Sequence, residues 1–288
     1  MQTSDAWSAA GGGGLKRPAL AAADARSAAG RGGLKRPAPA AADARSGAGR
    51  GGLDRPFALV TVHGIGGACW GGFRADLPWH LPGYGGTPLL PEASFAGWAL
   101  ALKAALDAAG LEQVDLLGHS IGGMVAQEFA LTFPERVRRL VLYATTPAFG
   151  GKDPAFAQQF LADRLAPLQS GMSMLQLAQQ SMTSMVSPRA GMAAMAEVIS
   201  AMASTPAAAY RATVTCLTTF NRMADLGRIA APTLLLAGER DPLAPPRTMQ
   251  RMADAMPDAR LVTLPAAGHL AHLEYPKEFA AAVHGFLG

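Results

Sequence analysis

The residues best suited to chemistry lie in "LLGHSIGGMV" (116–125), where Ser120 occupies a G-x-S-x-G pattern between Gly118 and Gly122. An apolar run precedes this pattern and small residues follow it, which predicts a tight turn between a strand and a helix. The glycines leave room for such a turn, and the helix N-terminus behind the serine favours negative charge. The pattern is typical of an exposed nucleophilic serine. A serine that only caps the helix is the alternative, because Gly and Ser also mark ordinary turns.

A second candidate segment is "VHGIGG" (62–67), which directly follows the apolar run "FALVTV" (57–62). A glycine-rich loop after a strand can turn the backbone N–H of Ile65 toward a substrate carbonyl oxygen. The N–H of Ile121, just after the serine, is the second candidate donor for such an oxyanion hole. A plain strand-to-helix turn is the alternative interpretation of this segment.

An acid and a base are offered by two segments near the C-terminus. Asp241 lies in "LLLAGERDPLAPP" (234–246), just past a buried strand, where parallel sheets place functional groups. Its alternative role is a turn residue ahead of proline. His269 lies in "LPAAGHLAHLEYP" (264–276) and follows the last predicted strand. We interpret His272 as a supporting or surface residue, and the remaining histidines outside the "VHGIGG" loop as structural: His80, His119 and His284.

The elements that must position these residues are short β-branched runs alternating with helical stretches. This alternation predicts an α/β fold with a mostly parallel sheet covered by helices on both faces. The predicted strands are 57–62, 114–118, 139–144, 233–239 and 259–265, and the predicted helices are 95–110, 122–133, 245–256 and 276–287.

The segment 150–225 interrupts the alternation and holds eight of the thirteen methionines. Several are three residues apart and share predicted helix faces. They indicate either the core of a small helical layer or a flexible apolar wall above a pocket. Both interpretations agree with a helical cap at about 150–225.

The N-terminal part is a repeat with a period of 19 residues: "LKRPALAAADARSAAGRGG" (15–33) recurs as "LKRPAPAAADARSGAGRGG" (34–52). The first copy has two leucines and the second has one, among many alanines, so the repeat offers little apolar surface to offset the entropy of ordering. We therefore predict a disordered arm over 1–55 and a folded domain over 56–288.

Charge and composition exclude several classes of function. Residues 1–56 carry nine Lys/Arg against four Asp, whereas the remaining residues carry 16 Lys/Arg against 17 Asp/Glu. The folded domain is thus nearly neutral, which argues against nucleic-acid binding. No apolar run is long enough to span a membrane, and no signal-peptide core is present. Two cysteines, Cys69 and Cys216, suggest a reducing compartment, so we expect a cytoplasmic protein.

Residues 57–288 resemble the α/β-hydrolase fold superfamily. The segments "HGIGG", "LPGYGGTP", "GHSIGGMVAQEFALTFPERVRRLVL", "APTLLLAGERDPLAPP" and "LPAAGHLAHLEYP" match its motifs in order. Within it, the stretch before Asp241 and "GHLAHLEYPKEF" are most similar to 3-oxoadipate enol-lactonase-like and other small-molecule esterase members. The resemblance implies a catalytic triad carried by Ser120, Asp241 and His269.

That triad implies hydrolysis of a small, largely apolar carboxylic ester or lactone through an acyl-enzyme, with no cofactor and no metal. Two alternatives stay open. One is carbon–carbon bond hydrolysis or cofactor-free haloperoxidase-type chemistry on the same triad. The other is an inactive, hydrolase-like protein.

The second alternative arises from two departures from the superfamily. The usual N-terminal hairpin is absent from the repeat arm. Only residues 65–81 separate the "HG" loop from "PGYGG", although a helix and an inner strand normally occupy this interval. The N-terminal hairpin and one inner strand are therefore expected to be missing or shortened, with lowered stability.

Overall fold

The computed structural model describes residues 56–150, 154–185 and 188–288. Six parallel strands form one sheet in the order β2-β1-β3-β4-β5-β6. The predicted parallel sheet flanked by helices is confirmed, and every predicted strand is present. The strands are β1 Leu59–Val62, β2 Leu77–Trp79, β3 Val114–His119, β4 Val137–Tyr143, β5 Thr233–Gly238 and β6 Ala259–Leu264.

Helices cover both faces of this sheet. On one face, α1, α2 and α7 pack their apolar side chains against the strands in a single buried cluster. On the other face, α9 and the short α8 form a second cluster with β4 and β5. These helices are α1 Phe95–Ala108, α2 Ile121–Thr132, α7 Pro246–Ala255, α8 Ala271–Glu274 and α9 Pro276–Leu287.

Four further helices lie between β4 and β5 in the chain and have a core of their own. Their methionines divide between two environments: Met174 and Met202 are buried, whereas Met192 is almost fully exposed. The same cluster includes Leu270 and Leu273, so these helices pack on the loop that follows β6. They are α3 Pro154–Gln169, α4 Met174–Met185, α5 Gly191–Ala203 and α6 Ala207–Leu217.

The shortened interval after β1 contains a strand but no helix. Residues 63–76 run as turns and loop, and the three-residue strand β2 then pairs with β1 through Val60 and Leu77. The strand expected to be missing or shortened is therefore present in shortened form. It lies at the edge of the described sheet rather than inside it, because no described residue pairs with its outer side.

Two aromatic side chains of the loop replace the absent helix as a cover for the sheet. Trp70 and Phe73 pack against the cluster that contains α9. The Phe73 ring meets Phe279 edge-on at 5.1 Å and stacks on His284 at 5.4 Å between centroids. Because aromatic rings bury a large apolar area, these two side chains cover part of this face of the sheet without a helix.

Asp76 links the start of β2 to the start of β1 through two hydrogen bonds. The Asp76 carboxylate accepts a 2.8 Å hydrogen bond from the Leu59 N–H, and the Asp76 N–H donates to the Leu59 carbonyl at 2.9 Å. Beyond β2, the Leu81 N–H donates to Nε2 of His63 at 3.1 Å. These bonds satisfy backbone groups that a three-residue strand alone would leave unpaired.

Within the described ranges, no helix is both long and apolar enough to cross a membrane. The predicted disordered arm, and with it the place of the missing N-terminal hairpin, falls on residues 1–55, outside the described residues.

Candidate active site

Ser120 lies at a sharp turn between β3 and α2, with φ 54° and ψ −120°. A non-glycine residue in this left-handed region is strained, and such strain is common at functional sites. The flanking glycines are required by close backbone contacts. A Cβ on Gly118 would lie 2.3 Å from the Gly122 oxygen, and a Cβ on Gly122 would lie 2.2 Å from the Val62 oxygen. No larger residue fits at either position.

The Ser120 side chain does not cap the helix, because it forms no capping hydrogen bond with the amides of α2. Its backbone, by contrast, is fixed on both sides. The Ser120 N–H donates to the Tyr143 oxygen at 2.9 Å, and the Ser120 carbonyl accepts from Oγ1 of Thr145 at 2.7 Å. The hydroxyl is therefore left on a rigid backbone, facing the cavity described below.

Asp241 and His269 are joined in the structure. Nδ1 of His269 lies 2.8 Å from Oδ2 of Asp241, and both side chains are buried. The other carboxylate oxygen accepts from the N–H groups of Leu243 at 2.8 Å and Ala244 at 3.1 Å. Burial raises the pKa of Asp241, but the His269 contact and these amides outweigh it and hold the pKa below its usual value.

Close packing of two loops brings this pair together. Asp241 follows β5 and His269 follows β6, and the two strands are neighbours in the sheet. A Cβ on Gly238 would lie 2.2 Å from the Gly268 oxygen, so the loops touch backbone to backbone. The Arg240 N–H donates across this contact to the Ala267 oxygen at 2.8 Å.

Sequence reasoning missed a buried network behind His269. Its carbonyl oxygen accepts from the Tyr143 hydroxyl at 3.0 Å and lies 3.2 Å from Nε2 of His119. His272 is buried as well. Its Nδ1 lies 3.0 Å from the Tyr143 hydroxyl, and its Nε2 lies 2.8 Å from the Cys69 oxygen. The interpretation of His119 as structural agrees with this placement, whereas a surface position for His272 is wrong.

Burial keeps His119, His272 and also His63, which accepts from the Leu81 N–H, in the neutral form. It lowers the pKa of His272 and of His63 to about 4, and lowers that of His119 well below its usual value. Neutral rings can both donate and accept hydrogen bonds, as their contacts with backbone carbonyls and amides require.

The two predicted oxyanion donors are near Ser120: Ile121 follows it in the chain, and Ile65 lines the same cavity as Ser120. Ile121 is the first residue of α2, so its N–H has no acceptor within the helix. Ile65 lies in a turn closed by a 3.1 Å hydrogen bond from the Gly67 N–H to the Gly64 oxygen. The Tyr84 hydroxyl holds the Ile65 carbonyl at 3.1 Å. The Ile65 N–H donates to no protein group in the described residues.

A cavity of about 520 Å³ lies beside Ser120. Ser120, His269 and Ile65 line it, together with residues of α3, α5 and α6. The volume is within the range of sites for small organic ligands. Most of the lining is apolar, including Met124, Phe149, Phe156, Phe160, Met202 and Leu217.

In the part of the chain that the structure describes, no three His, Cys, Asp or Glu side chains are arranged to hold a metal ion. Cys69 and Cys216 are free thiols, and burial raises the pKa of both.

Comparison with known proteins places this geometry in a family. Residues 59–282 match the alpha/beta hydrolase family. A pimeloyl-[acyl-carrier protein] methyl ester esterase from Aeromonas hydrophila is 30% identical over 245 residues, which cover 80% of this chain and 95% of that protein.

Solved structures agree with this match. A hydrolase from Pseudomonas aeruginosa PA01 superposes with a TM-score of 0.72 at 27% identity, covering 81% of this chain and 90% of its own. An enol-lactonase from Burkholderia xenovorans LB400 superposes with a TM-score of 0.68. It covers 80% of this chain and 90% of its own, and at 19% identity it supports the fold alone. The chain is thus an enzyme of the alpha/beta hydrolase family, as the sequence motifs predict.

Proposed function

We propose that this protein hydrolyses a small, largely apolar carboxylic ester or lactone, with Ser120 as nucleophile, His269 as base and Asp241 as its orienting acid. The observation that carries the proposal is the 2.8 Å contact between Asp241 and Nδ1 of His269, because His269 lines the same cavity as the strained Ser120. The relative from Aeromonas hydrophila carries the name of an ester hydrolase, which supports the class of bond.

The proposed mechanism assigns a role to each residue of the site. With Nδ1 of His269 held by Asp241, its Nε2 takes the proton from the Ser120 hydroxyl as the oxygen attacks the substrate carbonyl carbon. The oxyanion accepts hydrogen bonds from the N–H groups of Ile65 and Ile121. The tetrahedral intermediate collapses, the alcohol leaves with the proton from His269, and an acyl-enzyme remains. Water, deprotonated by His269, then releases the carboxylic acid and restores Ser120.

The contacts of the oxyanion loop support an active enzyme over an inactive hydrolase-like protein. The shortened connection keeps the Gly64–Gly67 turn, and the Tyr84 hydroxyl anchors it. Three of the four helices between β4 and β5, namely α3, α5 and α6, supply much of the cavity wall, which supports a cap at about 150–225.

Activity-based labelling tests the nucleophile directly. A fluorophosphonate probe should label the wild-type protein and not Ser120→Ala, and the wild type should release p-nitrophenolate from p-nitrophenyl butyrate. Ser170→Ala, which changes an exposed serine that follows α3, is the matched control and should label like the wild type. A folded wild-type protein that neither labels nor hydrolyses the ester would favour the inactive alternative.

A further inference from the structure

The loop that carries the predicted oxyanion donor Ile65 (residues 63–76, the Ile65 loop) has no helix of its own, and a buried side chain of α8 reaches it. Nε2 of His272 lies 2.8 Å from the oxygen of Cys69, four residues after Ile65. His272 is almost fully buried. Losing a hydrogen bond to a buried side chain is costly, because no water takes its place. His272 therefore anchors the Ile65 loop.

The same imidazole also contacts the loop between β6 and α8 (residues 265–270, the His269 loop) through Tyr143. Nδ1 of His272 lies 3.0 Å from the Tyr143 hydroxyl, and that hydroxyl lies 3.0 Å from the carbonyl oxygen of His269. Tyr143 is the last residue of β4 and is fully buried, so its hydroxyl is fixed by the sheet. His272 thus supports the main chain of the residue proposed as the base.

The partners of the ring determine which nitrogen carries the proton. Burial lowers the pKa of His272 to about 4, so near pH 7 the ring is neutral and has one N–H. Because the Cys69 carbonyl can only accept, that proton is on Nε2, and Nδ1 is an acceptor for the Tyr143 hydroxyl. Both nitrogens are then used, one on each side of the ring. The ring of Trp70, next to Cys69, lies 5.5 Å from the imidazole and covers it.

We propose that His272 is a positioning residue that holds the Ile65 loop and the His269 loop in register, so that the oxyanion donor and the base stay at a fixed separation. His272 is not among the described residues that line the cavity beside Ser120, so it acts through other residues. The inference rests on the proposed function, which gives both loops a task in one reaction.

Two amide variants separate the two contacts. His272→Gln places its amide near Nε2, so it keeps a donor for Cys69 and loses the contact with Tyr143. His272→Asn is shorter, so it keeps the Tyr143 contact and releases Cys69. For p-nitrophenyl butyrate we expect kcat to fall by about tenfold to a hundredfold in His272→Asn and by less in His272→Gln, because displaced catalytic groups lower the rate. KM should stay within about threefold of the wild-type value, since the apolar cavity wall is unchanged.

A role in packing alone predicts a different result, namely a lower melting temperature with an unchanged kcat in the folded protein. His284→Asn is the matched control. This histidine contacts the Ile65 loop at Phe73, with ring centres 5.4 Å apart, rather than at Cys69, and its replacement should leave kcat unchanged.

A double-mutant cycle tests the connection through Tyr143. Tyr143→Phe and His272→Gln break the same contact, so the double variant should have nearly the kcat of the weaker single variant. Tyr143→Phe and His272→Asn break different contacts, so their effects on kcat should multiply. Multiplied effects in the first pair would show that His272 does not act through Tyr143 and would contradict the bridge.

Hydrogen–deuterium exchange tests the bridge without a substrate. In Ser120→Ala, adding His272→Asn should speed amide exchange in the Ile65 loop by about tenfold, whereas adding His272→Gln should not. If the wild type cleaves no ester while this difference is seen, the proposed chemistry fails and the bridge stands. If His272→Asn folds poorly, the cycle of Tyr143→Phe with His272→Gln still decides the question. Unchanged loop exchange in folded His272→Asn, or a kcat within about twofold of an active wild type, would overturn the inference.

Discussion

Two regions on either side of Ser120 are built in opposite ways. The strand ends at β3, β5 and β6 are fixed by backbone packed against backbone, with Gly122 against Val62 and Gly238 against Gly268. The connection from β1 to β2 is a loop held by side chains: Trp70 and Phe73 cover the sheet, and Asp76 ties the two strands together.

The difference shows which parts of this fold can be shortened. Ser120 is positioned by contacts between α2 and the end of β1, and none of these contacts involves β2. The missing helix and most of a strand therefore remove none of the contacts that position the nucleophile in this protein. Side chains that pack on a face can be replaced by others of similar volume, whereas contacts between backbones leave no such freedom.

The largest effect is expected at Asp241, the buried acid in the region that is fixed by backbone contacts. Asp241→Asn keeps the shape and the amide contacts but loses the charge that supports His269. We expect kcat for a p-nitrophenyl ester to fall by about three to four orders of magnitude, since the imidazole then favours the wrong tautomer. Steady-state kinetics check this, with the melting temperature measured to show that the fold is retained. A fall of less than tenfold would contradict the assigned role.

Replacing one glycine by alanine in each region compares how much room the two regions leave for a methyl group. Gly122→Ala places a Cβ 2.2 Å from a backbone oxygen, so we expect it to destabilise the fold by about 3 kcal/mol or more. Gly66→Ala adds the same methyl group to the loop, where the nearest atom is the Met202 Cβ at 4.0 Å. We expect that change to stay within about 1 kcal/mol. Urea denaturation measures both, and equal effects would remove the distinction between the regions.

Removing the Phe73 ring measures how much the loop between β1 and β2 contributes to the stability of the fold. Phe73→Ala should lower the free energy of unfolding by about 1–3 kcal/mol, less than a fully buried aromatic residue costs, because Phe73 is only half-buried. Leu100→Ala on α1 removes an exposed apolar side chain and should cost less than about 0.5 kcal/mol. Fluorophosphonate labelling of Ser120 in Phe73→Ala, below its melting temperature, should match the wild type. Lost labelling in a folded protein would link the loop to the nucleophile.

Acid should weaken the fold through the buried histidines. The pKa values of His63 and His272 are about 4 in the folded protein, below the ordinary value of 6.5. As the pH falls, these histidines are therefore protonated in the unfolded chain before they are protonated in the folded protein. The free energy of unfolding has its full value above about pH 6.5 and decreases as the pH falls toward 4. Each histidine should cost about 2 kcal/mol at pH 5 relative to pH 7.5. Denaturation at several pH values tests this, and His63→Gln should show a shallower dependence.

The sequence predicts the regular part of the molecule because its signals are local. Apolar β-branched runs identified the strands, and the two glycines around Ser120 identified a turn that only small residues permit. The cover over the sheet beside β2 could not be predicted, because it depends on Trp70 and Phe73 meeting α9, some two hundred residues away in the chain. The strand Leu77–Trp79 was hard to recognise, since it has three residues and a central proline.

The candidate site also has a part that the sequence predicts and a part that it does not. Motifs placed Ser120, Asp241 and His269 at the ends of strands, and the structure brings the last two into contact. Their roles remain predictions until the variants are measured. The network of His119, Tyr143 and His272 was missed because no spacing in the chain links these residues.

The helix behind the serine has a consequence for motion. Residues 121–130 of α2 are all buried, so this helix has almost no face toward solvent. Its amide protons should exchange with deuterium only when the whole domain unfolds, whereas those of α3, whose exposed residues outnumber its buried ones, should exchange through local openings. The cavity wall could then open to admit a ligand while the amide of Ile121 stays in place, so that access and chemistry run on separate timescales.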